Sequence, residues 1–530
     1  MTHPSIAIIG MACEFPDASQ PGQLWENVLA RRQSFRPMPE TRLSSDYVDP
    51  DPNTADKTYN RYAALIEGYH FDRVGFRISA ESFRSADMVH WLALDVADRA
   101  LTDAGYPSAK GLPQEKTGVL LGNTLTGEMT RAATLRLRWP YVSRALDRAL
   151  EREGRTPQER AAFLEQMEKE YKEPFAEVGG ETLAGGLANT IAGRICNYFD
   201  LHGGGYILDG ACASSLLAVN NACSALVCGD LDVALVGGVD LSLDPFELVG
   251  FAKAGALTQD KMFVFDKRSS GFIPGEGCGI LVLRRSEDAL AAGDRIYAQI
   301  RGWGISSDGK GGLTRPETSG QLRAVKRACE RAAVAPASIA YYEAHGTGTK
   351  VGDQAELSTL IRARHGSGQP ASLGSIKANI GHTKAAAGAA ALIKATMAVY
   401  HQVLPPVTAC DQAHALLQEN PSELQVSHTG QLWPADREIR AGVSAMGFGG
   451  INAHLILDGP DAQRRSALSQ EELSLLAPLQ EGELFVVSAA DSAALETKLS
   501  LLAERAQQLS FAELTDLAAH LAKTDLGEPQ

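Results

Sequence analysis

The sequence predicts an α/β protein with largely parallel sheets covered on both faces, built from two similar halves. Three observations carry this. Short apolar runs closed by glycine, SIAIIG at Ser5–Gly10, KTGVLLG at Lys116–Gly122 and DVALVGG at Asp232–Gly238, read as buried strands. Helical stretches such as His90–Gly105 alternate with them, the pattern of a sheet with helices on both sides. A second set of strand-like runs follows at Ile280–Leu283, Ile296–Ile305, Ile339–Glu343 and His454–Leu457. It predicts a duplicated main domain over 1–458, with halves at about 1–265 and 266–458.

At 530 residues the chain exceeds what one small core holds. With 44% hydrophobic and 22% charged residues it has the composition of a globular protein. A net charge of −14 without a basic tract argues against nucleic-acid binding. No apolar run reads as a membrane span: Ala385–Tyr400 comes nearest and Lys394 interrupts it. The N-terminus, MTHPSIAIIG, lacks a signal-type pattern. None of the eight cysteines forms a C-x-x-C pair, so neither a zinc site nor a disulfide framework is expected, and a reducing cytoplasm fits.

Two segments stand apart. Residues 129–175 are rich in Arg, Glu, Leu and Ala and read as an insert of two charged helices. Its start carries Arg131, Arg136, Arg138 and Arg144 with no acid among them: a solvated face, or a basic dock for an acidic partner. After Leu457 a polar stretch over 459–483 leads to an expected strand at LFVVSA (484–489) and helices at 492–509 and 511–521.

The chemistry gathers at turns. DGACASSLLAV (209–219) places Cys212 between a strand end and a helix whose apolar positions 216, 217, 219, 223, 226 and 227 keep helical spacing. A helix N-terminus favours a thiolate, and its free N–H groups can hold an oxyanion beside the sulfur. Small neighbours leave room for a substrate carbonyl, as at other nucleophile elbows. His345, in YYEAHGTGTKVGD, follows a strand at the end where α/β sites form. His382, in SIKANIGHTKAAAGAA, sits between a short strand and an Ala-rich helix. Singly, each histidine reads as a cap or a core residue. With an elbow cysteine the two make a Cys-His-His constellation able to activate sulfur and hold a second oxyanion. VSAMGFGGIN (443–452) reads as a hairpin turn or as a flap around Phe448 that turns its N–H groups to the site.

ACASS, EAHGTGT with GD-x-x-E, K-x-N-I-G-H and GFGG, in this order over residues 5–458, resemble the β-ketoacyl synthases of the thiolase superfamily. The resemblance implies a thiolase-like five-layered αβαβα domain with two pseudo-duplicated halves, working as a homodimer. It implies an acyltransferase that joins malonyl units to an acyl chain by decarboxylative Claisen condensation. Its substrates would arrive on the phosphopantetheine arm of an acyl carrier protein, with no cofactor or metal of its own. NTLTGE, RLRWPYV, GGLANTIAGRICN, DLSLDPFELVGFAKAGAL and the charged insert are similar to ketosynthase domains of iterative enediyne polyketide synthases, with polyunsaturated fatty acid synthases next. The tail resembles the start of the linker before an acyltransferase domain, so the chain reads as the front of a longer synthase.

Residue by residue, the resemblance makes Cys212 the acyl-accepting nucleophile and His345 and His382 the decarboxylating pair. Lys377 would order the site with Glu356 as its carboxylate partner. Thr347 and Thr349 would contact the pantetheine arm, and Phe448 would be the gatekeeper whose N–H joins that of Cys212 in the oxyanion hole. A thiolase would carry a second cysteine in the GFGGIN loop, and a non-catalytic partner protein would lack Cys212.

Overall fold

Two runs of five strands follow the same path through this protein. The computed structural model describes residues 4–310, 313–476, 482–506 and 508–524. The first run is β1 (Ile6–Glu14), β2 (Thr117–Gly122), β3 (Gly205–Leu208), β4 (Val233–Asp240) and β5 (Gly277–Arg285). The second is β6 (Ala298–Ser307), β7 (Tyr341–Glu343), β8 (Ala371–Gly374), β9 (Arg440–Gly447) and β10 (Ile451–Asp458). Within each run the spatial order is third, second, fourth, fifth, first. In each, the second strand lies parallel to the third and the fourth, and the fifth lies antiparallel to the fourth and the first. The two first strands, β1 and β6, meet antiparallel at Ile6 and Ile300 and join the halves.

This symmetry confirms the duplicated core and corrects two expectations. The sheet is mixed rather than largely parallel, because β5 and β10 return as hairpin-like partners. The boundary near residue 265 moves to the helix Ser286–Ala292, since β5, with the run Ile280–Leu283, completes the first half.

Helices fill three layers. Between the two halves of the sheet run α3 (Ser214–Cys228) and α6 (Ala387–His401); α1 (Met88–Asp103) and α2 (Asn189–Phe199) cover the first half, and α4 (Thr318–Ala332) and α5 (Lys350–Arg364) cover the second. Strand alternation sorts the side chains. Ile6 and Ile8 of β1 pack inward with Leu216, Val219 and Leu392, while Ala7 and Ile9 pack outward with Leu92 and Val96. The stretch Ala211–Cys228, which includes α3, is long and apolar enough to cross a bilayer, against the expectation of no such run. Its place between the two halves of the sheet marks it as a core helix.

The outer helices lie close to the sheet, and glycine makes the room. A Cβ on Gly10 of β1 would fall 2.5 Å from Ala104 Cβ and 2.7 Å from the Ala100 carbonyl at α1. A Cβ on Gly302 of β6 would fall 2.1 Å from the Ala328 carbonyl and 2.8 Å from Ala332 Cβ in α4. The same device, a strand glycine against two alanines four apart, recurs in both halves.

The insert holds three helices, Glu128–Leu137, Trp139–Arg152 and Pro157–Lys172, instead of two. Pro140 in the first turn of the second and a Thr156–Glu159 capping box at the third set the breaks. In the tail, Leu484–Ala489 forms no strand. Helices do form at Ser492–Ala506 and Phe511–Thr524. The last is tied to the front of the chain by Glu513 on Arg36 (3.0 Å) and by the Ser510 hydroxyl donating to Asp17 (2.5 Å).

Gly302→Ala is expected to lower stability by about 1–3 kcal/mol through overpacking against α4. An unchanged urea midpoint would contradict this close approach.

Candidate active site

The cysteine elbow is built by strain and close packing. Cys212 lies two residues ahead of α3, and Ala211 before it holds a φ of 50°, a left-handed conformation that costs a non-glycine residue energy. The Ser214 hydroxyl fixes the turn by donating to the Ala211 carbonyl (2.6 Å) and accepting from the Gly210 N–H (2.9 Å). Gly447 has no room for a side chain: a Cβ there would meet the Gly210 carbonyl at 2.0 Å.

His382 occupies the corresponding position in the second half, ahead of α6. The two central helices touch at their starts. The Ala389 N–H donates to Ser215 Oγ (2.9 Å), and a Cβ on Gly388 would lie 2.7 Å from both Ser215 Oγ and Leu216 Cγ. His345 comes in from the end of β7. A cavity of about 110 Å³ collects Cys212, His345, His382, Thr347, Thr349, Glu356 and Phe448 on its wall. The rings of His345 and His382 stand 5.7 Å apart, nearly perpendicular. Phe272 meets the His382 ring edge-on at 4.9 Å, and Phe251 continues the apolar wall to Phe448 at the mouth.

Both histidines are locked in one tautomer. The Met446 N–H donates to His345 Nδ1 (3.3 Å), and the Lys384 N–H donates to His382 Nδ1 (3.1 Å). An Nδ1 that accepts leaves the proton of a neutral ring on Nε2. Burial holds both imidazoles well below their usual range, and the Lys377 ammonium adds to it. The cavity is therefore lined by two neutral Nε2–H donors, an arrangement suited to a developing oxyanion.

Lys377 and Glu356 work on the backbone of His345. Lys377 Nζ donates to the His345 carbonyl (2.6 Å), while the two Glu356 oxygens accept from the N–H groups of His345 and Gly346 (2.8 Å each). The expected Lys377–Glu356 partnership is thus indirect: both clamp the same peptide from opposite sides. Burial pushes the Glu356 carboxyl up to about 7. Burial pulls the Lys377 ammonium down, against Glu343 and Glu356. Thr347 and Thr349 share a hydroxyl contact of 3.0 Å.

Burial decides the charge state of the thiol. It pushes Cys212 up to about 11, with Lys377 offsetting part of it, so the resting group is a thiol and not the expected thiolate.

Three supports were missed by reading the sequence. Asp353, inside GD-x-x-E, accepts from the Phe265 N–H (2.7 Å), the Gly348 N–H (3.0 Å) and Ser269 Oγ (3.0 Å). Lys384 pairs with Asp240 (2.9 Å) and Glu247 (3.3 Å) behind His382. Lys394, read only as an interruption, pairs with Glu343 (2.8 Å). For Lys384 and Lys394 the signal is a lysine in or beside an Ala-rich apolar run.

Of the four patch arginines, Arg131 and Arg136 are engaged within the chain, while Arg138 and Arg144 are exposed. Arg131 pairs with Asp244, and Arg136 donates to the carbonyls of Lys172 (2.7 Å) and Phe175 (2.8 Å). Arg138 and Arg144 flank Tyr141 at 5.8 and 4.9 Å from its ring.

Models of known families match nearly the whole chain. Beta-ketoacyl synthase, N-terminal domain, matches residues 3–289; the corresponding C-terminal domain matches 297–411; a ketoacyl-synthetase C-terminal extension matches 412–526. A polyunsaturated fatty acid synthase polypeptide of Thraustochytrium sp. is 35% identical over 475 residues, 87% of this chain and 17% of that protein. A mycocerosic acid synthase-like polyketide synthase of Mycolicibacterium smegmatis is 33% identical over 507 residues, 94% of this chain and 22% of that one. The chain thus spans a small part of the curated relatives it matches. Among solved structures, the ketosynthase from module 6 of the bacillaene synthase of Bacillus subtilis superposes with a TM-score of 0.72 at 30% identity, covering 98% of this chain and 80% of that one.

The raised thiol has a measurable consequence. Alkylation of Cys212 by iodoacetamide is expected to climb about tenfold per pH unit from pH 7 to 9 without levelling. A plateau near neutrality would show a preformed thiolate.

Proposed function

This chain belongs to the β-ketoacyl synthase family, and we propose that it condenses a carrier-bound malonyl unit with an acyl chain held on Cys212. The observation that carries this reading is the pair of backbone-locked Nε2–H donors facing the same cavity as an elbow cysteine.

Cys212 Sγ attacks the thioester carbon of an acyl group on a phosphopantetheine arm. The sulfur proton ends on the departing pantetheine thiolate, and the acyl group stays on Cys212. The oxyanion of that step is assigned to the N–H groups of Cys212 and Phe448. A malonyl thioester then replaces the first arm beside Thr347 and Thr349. Its carbon–carboxylate bond breaks, carbon dioxide leaves, and the electron pair passes into an enolate whose oxygen accepts from His345 and His382. The enolate carbon attacks the Cys212 acyl carbon. Sulfur leaves as thiolate and is reprotonated, and the chain is two carbons longer. Lys377 and Glu356 are positioning residues for His345.

The finer reading is an iterative, enediyne-type ketosynthase that builds a polyene chain, supported by the motifs around the insert. The second reading, a polyunsaturated fatty acid synthase, is favoured by the 35% identity to a polypeptide of such a synthase. Reconstitution in a full synthase separates them: a conjugated polyene chromophore supports the first, separated double bonds the second. The segment after 458 is read as the linker toward an acyltransferase domain. A homodimer would form on the open edge of β3, where Tyr206 and Leu125 are exposed.

Cys212→Ala is expected to abolish acyl loading and condensation, read by intact-protein mass after incubation with an acyl thioester. His382→Ala is expected to lower malonyl decarboxylation about 10²–10³-fold, as for loss of one oxyanion donor, while Cys212 still loads. A Tyr206→Asp, Leu125→Asp variant is expected to run as a monomer where the wild type runs as a dimer. Equal masses by light scattering would reject that edge as the interface.

A further inference from the structure

The site rests on a buried charge that the proposed chemistry does not use. Glu343 is the last residue of β7, two ahead of His345, and is fully buried. One carboxylate oxygen accepts from the backbone N–H of Ile376 (2.6 Å), the residue directly before Lys377. The other takes Lys394 Nζ (2.8 Å) from the middle of α6 and the Tyr341 hydroxyl. A single carboxylate therefore ties together the strand that delivers His345, the turn that carries Lys377 toward His382, and the helix that follows His382. Lys394 is itself 3% exposed, on a helix otherwise packed with Ala, Leu, Ile and Val. An ion pair in such a place contributes little to stability alone, since apolar residues of similar volume commonly do as well.

We propose that Glu343, held by Lys394 and Tyr341, is a positioning residue that keeps the Lys377 ammonium in place and charged beneath the His345 carbonyl. This rests on the condensing function proposed above and adds a step-specific role to it. Decarboxylation, which needs His345 and His382 in register, depends on Glu343; acyl loading of Cys212 does not.

The charges around Lys377 set the direction of the effect. It faces Glu343 from β7, Glu356 and Asp353 from α5, Lys394 from α6, Cys212 from the elbow, and the neutral His345 and His382. Burial pulls the Lys377 ammonium down, and Glu343 is the foremost group opposing it. Removing the Glu343 charge lowers Lys377 further, so a step that needs the ammonium loses its rate at a lower pH.

The test compares wild type with Glu343→Gln, which keeps the shape and an oxygen for the Ile376 N–H. Three quantities are read: loading of Cys212 from an acyl thioester by intact mass, carbon dioxide release from a malonyl thioester, and the pH profile of that release. Loading is expected within about threefold of wild type. Release is expected to fall at least about tenfold in kcat with KM little changed, and its alkaline limb to move down by about one pH unit. An unmoved alkaline limb, or equal losses in loading and release, overturns the proposal and leaves a structural pair. Should Glu343→Gln not fold, the charge-neutral Glu343→Gln, Lys394→Met variant takes its place. The selective loss of release and a smaller downward move are expected there, and wild-type release overturns the proposal. A wild type that releases no carbon dioxide from a malonyl thioester overturns the function first and this role with it. An active wild type with an unaltered Glu343→Gln overturns this role alone.

Discussion

The contact between the starts of α3 and α6 is the constraint on which the rest of this molecule depends. Two helices are buried between the two halves of the sheet, and they can touch only because Gly388 leaves space for Ser215 and Leu216. Each helix follows the third strand of its half. The duplicated topology therefore brings two helix N-termini to one spot, one preceded by Cys212 and the other by His382. The second strand of the later half adds His345 from the side. Its counterpart in the first half leads instead into the insert, so the symmetry of the fold is broken where the chemistry begins.

Around that contact, burial governs the electrostatics. Burial pushes the Cys212 thiol up to about 11, so it stays protonated at neutral pH. The imidazoles are neutral for the same reason. Three buried lysines near the contact each have a partner. Lys384 sits against Asp240 and Glu247, and Lys394 against Glu343, while Lys377 sits on a carbonyl within reach of carboxylates from two elements. Removing one partner from such a pair leaves an uncompensated charge, which is far more costly than never having had the pair.

Much of this was legible in the sequence, and the gaps have physical causes. Cys212, His345 and His382 announce themselves because strand, turn and helix signals are local. The duplicated core was visible as repeated apolar runs, yet their direction was not, since hairpin-like returns through β5 and β10 depend on long-range pairing. Glu343 and Lys394 are fifty-one positions apart in the chain, and no local pattern joins them. LFVVSA has the apolar, β-branched composition of a strand and yet forms none. Arg131 and Arg136 of the insert look free until Asp244 and the carbonyls of Lys172 and Phe175 are brought against them. The break into three insert helices was written in Pro140 and the Thr156–Glu159 pair.

The backbone locks on Nδ1 of the two histidines reach further than the choice of tautomer. A neutral ring whose second nitrogen already accepts an amide proton has no free basic site, so neither imidazole can ferry protons between thiol and solvent. The donors also carry no net charge, so at these two nitrogens recognition is a matter of where a ligand places its carbonyl lone pairs.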